Sequence, residues 1–101
     1  MTSLVSSEKQ CEYPSAETLQ NAAKIAIVED KPIMLDYWGT PENSTVLIGV
    51  RENGEKLLVK SEDEYTSPIS KIYKTGKEYL IVTENSLYIT SSTISTNKIS
   101  S

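Results

Sequence analysis

Two β-forming runs flank Asn53-Gly54, and no other stretch restricts the fold of this chain as tightly. A type I′ turn needs φ > 0 at both central residues, and Asn-Gly meets that need at low steric cost. The sequence therefore predicts a β-hairpin over Val46 to Lys60. A two-residue loop would set Glu52 opposite Glu55, Arg51 opposite Lys56, Val50 opposite Leu57, Gly49 opposite Leu58 and Ile48 opposite Val59. Side chains alternate along a strand. One face then carries Val46, Ile48, Val50, Leu57 and Val59, and is expected to be core. The other carries Leu47, Gly49, Arg51, Lys56, Leu58 and Lys60. Arg51 opposite Lys56 is a like-charge pair, which mildly disfavours this register.

The rest of the chain is read around that hairpin. Residues 1–14 are polar and predict a flexible tail. Ser15 is an N-cap candidate, and Glu17 in the first turn suits the helix dipole. Ala16, Leu19, Ala22, Ala23, Ala26 and Ile27 recur at helical spacing, giving a short helix with a small-residue face that ends before Pro32. Ile33–Trp38 reads as a strand, and Gly39–Ser44 as a loop. Ser61–Pro68 is an acidic connector. Ile69–Lys74, Lys77–Thr83 and Leu87–Thr90 read as strands joined by turns at Thr75-Gly76 and Glu84-Asn85-Ser86. From Ser91 the chain is rich in Ser and Thr, with only Ile94 and Ile99 as large apolar residues. It is read as a tail over 91–101, either disordered or a weakly docked arm. The expected architecture is one mainly β domain over 15–90. It would be a six-stranded antiparallel meander, or a small SH3-like barrel with one N-terminal helix, since closure removes exposed edges.

Composition restricts the chemistry. With 101 residues the chain suits one domain. It has no histidine, which removes the commonest general base and metal ligand. One cysteine, Cys11, excludes an internal disulfide and a zinc site of the usual kind. The four glycines are scattered, so there is no phosphate-binding loop. Glu62-Asp63-Glu64 lacks the ligand spacing and central glycine of a calcium loop. Asp36 is the one carboxylate in an apolar context and reads as structural. An enzyme is not expected, nor is any cofactor or metal. No signal peptide and no membrane-spanning run is visible, so a reducing cytoplasmic setting is expected. Asn43-Ser44-Thr45 matches a glycosylation sequon but would be silent there.

Two binding classes remain. Leu47, Arg51, Lys56, Leu58 and Lys60 on the outer hairpin face, with Trp38 beside its loop, form the candidate site for a protein partner or a second copy. The alternative is a nucleic-acid or host-factor module. It would use Arg51, Lys56 and Lys60, or Lys71, Lys74 and Lys77, with Tyr73, Tyr79 and Tyr88 stacking bases. A net charge of −4 weighs against it.

The run Lys31–Trp38, then Ile48–Lys60, Glu64–Ile69 and Thr83–Ile89, resembles small β-rich proteins of unassigned activity from large DNA viruses that infect algae and protists. The likeness spans about residues 24–90. It implies a viral protein made in the host cytoplasm, and a minor capsid or other virion component. It carries over no functional residue.

Overall fold

The computed structural model describes residues 13–39 and 45–99. The tail over 1–12 with Cys11, and most of the Gly39–Ser44 loop with the sequon asparagine, lie outside the described residues. Eight strands and one helix are seen among them. They are α1 (Ala16–Glu29), β1 (Ile33–Met34), β2 (Leu47–Val50), β3 (Lys56–Ser61), β4 (Glu64–Tyr65), β5 (Ile69–Thr75), β6 (Glu78–Thr83), β7 (Leu87–Ser91) and β8 (Thr96–Lys98).

The strands form two four-stranded sheets, in the orders β1-β7-β6-β5 and β4-β3-β2-β8. The expected meander survives as β5-β6-β7, all antiparallel. The barrel does not. Two pairings are parallel, β1 with β7 and β2 with β8, and each adds an edge strand from a distant part of the chain. A local sequence pattern cannot announce such pairings, because they join segments with no shared turn. Each sheet keeps its own edges, and no closed barrel forms.

Three layers result. Leu80, Val82, Leu87 and Ile89 face α1, where Ala22, Ile25, Ala26 and Trp38 pack on them. Ile81, with Tyr79 and Tyr88, faces the second sheet through Ile48, Leu58, Val46 and Tyr37. The Tyr37 and Tyr88 rings meet edge to face at 5.2 Å. Period-2 alternation along β6 thus divides one strand between two cores.

The helix begins where the sequence placed it. Ser15 has extended backbone, and its Oγ accepts from the Thr18 amide. Thr18 Oγ1 also donates to Glu78 Oε1 at 2.6 Å, and Ser15 Oγ donates to the same oxygen at 3.1 Å. Asn21 Nδ2 reaches Thr75 Oγ1 at 3.1 Å. The first two bonds satisfy Glu78 Oε1, and all three tie the start of α1 to the β5-β6 hairpin. The helix stops at Asp30, which adopts the left-handed conformation at φ 57°. Its packing face is Thr18, Ala22, Ile25 and Ala26, so Ala16, Leu19, Ala23 and Ile27 of the expected stripe lie outside the contact.

The strand expected over Ile33–Trp38 is only two residues long. Asp36 is exposed in a turn closed by the Trp38 amide on the Leu35 carbonyl. The acidic connector contains β4, which pairs with β3. The Ser/Thr-rich segment docks as an arm. Ile94 packs on the inter-sheet core, and β8 lies along β2.

The candidate site on the outer sheet

The hairpin turns differently from the sequence expectation, and the difference exchanges the two faces of β3. The Arg51 amide bonds the Glu55 carbonyl, and the Gly54 amide bonds the Arg51 carbonyl. Gly54 has φ 92°, whereas Asn53 is not among the positive-φ residues. This is a three-residue loop, Glu52-Asn53-Gly54, in which a type I turn is followed by a left-handed bulge residue. Asn53 Oδ1 accepts from the Glu55 amide at 2.9 Å, which holds the turn. The pairing slips by one residue. Leu47 opposes Val59, Ile48 opposes Leu58, Gly49 opposes Leu57 and Val50 opposes Lys56.

Two physical gains favour this register. The like-charge pair Arg51–Lys56 is replaced by Arg51 beside Glu55, with Nη1 to Oε1 at 3.3 Å. Leu58 joins Ile48 in the core instead of facing solvent. A slip of one residue exchanges the two faces of a strand. Of the expected site, Leu47 and Arg51 remain on the outer face with Gly49. Leu58 is fully buried between the sheets and is removed from the site. Lys56 is exposed near the turn, on the opposite face from Arg51.

Lys60 sits at a register shift between Val59 and Ser61. Its Nζ lies 5.0 Å from the Tyr37 ring centroid and 3.5 Å from Glu64 Oε2. Trp38 packs against the helix-side core, remote from the hairpin face. Burial foremost, then the nearby Glu64 carboxylate, pushes the Tyr37 hydroxyl up to about 12.

The outer face holds a groove of about 610 Å³. Leu47, Leu57, Val59, Tyr65 and Ile99 give it an apolar lining, with Arg51 and Lys60 also bordering it. Gly49 lies beneath Ile99, whose Cδ1 occupies the space a β-carbon would take. The space above Gly49 is thus filled by the chain's own C-terminal arm. Sequence reasoning missed Leu57 and Val59 because of the slipped register. It missed Tyr65 because β4 is two residues long, and Ile99 because it lies just past β8, which is three residues long.

The alternative stacking platform does not assemble. Tyr79 and Tyr88 pack between the sheets, whereas Tyr73 pairs with Leu80 and belongs to the helix side of β5. Lys71 bonds Glu29 at 2.9 Å, which holds the Glu29 carboxyl below and the Lys71 amine above their ordinary ranges. No group of three or more metal-ligating side chains occurs among the described residues, and no helix there is long and apolar enough to cross a membrane. Comparison with family models, curated proteins and solved structures finds no match to this chain.

Proposed function

We propose that the protein is a non-enzymatic binding module whose outer groove receives apolar side chains from an extended segment of a protein partner. The observation that carries this reading is the groove's chemistry. Its floor is aliphatic and aromatic, and its two cations are already ion-paired to Glu55 and Glu64. Exposed ion pairs of this kind contribute little energy, so specificity would rest on the apolar floor. The resemblance to viral proteins adds a setting, that of a minor virion or capsid component in the host cytoplasm. Detection in purified particles tests that setting.

The binding reading is tested with extended peptides selected by display against the full chain and then mapped by amide chemical shifts. Shifts are expected at Leu47, Val59, Tyr65 and Ile99, weakly salt-dependent and lost in Val59→Glu. The reading fails if the peptides map elsewhere. It also fails if only nucleic acid binds, with affinity falling steeply as salt rises.

A further inference from the structure

The last strand of the outer sheet is held by few contacts. Up to Ile94 the C-terminal segment is pinned. Ser91 Oγ accepts from the Thr93 amide, the Ser92 amide bonds the Lys77 carbonyl, and Ile94 packs on the inter-sheet core. Beyond it, Ser95 to Lys98 are all exposed, and their side chains add almost nothing to the core. The hold on β2 is the backbone pairing of β8 and one side chain. The Ile48 amide bonds the Ser95 carbonyl at 2.8 Å, the Ile99 amide bonds the Val50 carbonyl at 3.0 Å, and Ile99 sits over Gly49. Ile99 is at once part of this arm and part of the groove lining.

We propose, resting on the groove reading above, that the partner's segment takes the place of this arm. It displaces β8, pairs parallel with β2 and sets a branched aliphatic residue over Gly49 where Ile99 now lies. The chain's own arm shows what the place accepts, an extended strand running parallel to β2 with its backbone bonded to Ile48 and Val50. No turn joins β8 to β2, so a strand from another chain can remake the pairing. The space over Gly49 is specific in shape, because a β-carbon on residue 49 would stand 2.8 Å from Ile99 Cδ1.

The resident arm leaves a competitor something to gain. Gly49 pairs with Asn97, and alternation puts Asn97 on the same outer face as Ile99. One of these two outward positions is apolar and the other is an exposed asparagine, although Leu47 and Val59 lie on that face. A strand with apolar residues at both positions, two apart, would cover more of the groove than the arm does. A second copy's arm would bring the same asparagine and gain nothing over the resident one, so the fit is to a different chain. The partner meets only the fraction of molecules whose arm is open, which lowers its apparent affinity. The arm is thus both a template for the ligand and a brake on its binding.

The test uses the display-selected peptides and the full chain. The peptides should share two apolar residues spaced two apart and should release the Thr96 to Lys98 amides on saturation. They should bind about tenfold tighter to Ile99→Ser, in which the arm no longer competes. Adding Gly49→Ala to Ile99→Ser should reverse that gain, because the space is then closed. Without any peptide, the Ile48 and Ile99 amides should exchange by local opening, well ahead of the β6 amides. Groove-bound peptides that leave the arm docked, or that bind more weakly to Ile99→Ser, would overturn the displacement and leave the groove reading intact. So would arm amides that exchange only with global unfolding. Peptides that bind nowhere on the outer sheet, in either chain, would overturn the groove reading itself. A mass that doubles with concentration in the full chain but not in Ile99→Ser would give the place to a second copy and overturn the assignment to a different chain.

Discussion

Replacing Gly49 by alanine tests whether the arm is held by the notch beneath it. Gly49 has no unusual φ, so backbone strain is not at issue. A β-carbon there would stand 2.8 Å from Ile99 Cδ1 and 3.0 Å from Val59 Cγ2. Ordinary carbon contacts are about 3.5–4.0 Å. Something must move, and Val59 is a β-branched residue fixed in a central strand. Ile99 is half-buried just past the end of a short edge strand, so it gives way.

Undocking forfeits about 1 kcal/mol of Ile99 burial, taken as part of the full value for an isoleucine. It also breaks the Ile99 amide bond to the Val50 carbonyl and the Ile48 amide bond to the Ser95 carbonyl, together about 1–2 kcal/mol. Replacing a strand glycine returns about 0.5–1 kcal/mol. The net expectation is a loss of about 1–2 kcal/mol, or roughly 5–10 °C in melting temperature for a chain of this size. The assay is denaturant unfolding together with amide hydrogen exchange, which should accelerate at Ile48 and Ile99. In an Ile99→Ala background the same substitution should become neutral or stabilising. The reasoning is refuted if Gly49→Ala stabilises the unaltered chain and leaves both amides protected.

Two more outcomes follow from the register and the core. Leu58→Ala should cost about 2–5 kcal/mol, as for a buried leucine, whereas Lys56→Glu should stay within about 0.5 kcal/mol. Comparable small effects in chemical denaturation would mean that Leu58 faces outward after all. The folded Tyr37 pKa, about 12, lies above its ordinary value of 10.0, so the neutral hydroxyl is favoured in the fold. That contribution, up to about 2–3 kcal/mol, is complete below pH 10 and is lost as pH rises through 12. Tyr37→Phe should flatten the fall in stability over that window, and an identical fall in both proteins would contradict the assignment.

The sequence alone determined the local elements. Ser15 announced the start of α1, because an N-cap is satisfied within three residues. Asn53-Gly54 announced a hairpin, since glycine relieves a positive φ wherever the turn falls. The strands of the β5-β6-β7 meander were legible from their β-branched and aromatic runs and short connections. The tertiary structure decided what these elements face. Asn-Gly fits both a two-residue and a three-residue loop, and the choice between them shifts the register by one. Burial of Leu58 against Ile81 and relief of the Arg51–Lys56 repulsion are non-local or cross-strand terms, and they favour the second. The same holds for β1 and β8. Two or three residues bear no periodicity, and they become strands only because β7 and β2 offer them an open edge. The groove inherits both facts, since Leu57 and Val59 reach it through the register and Ile99 through a parallel strand that local pattern could not reveal.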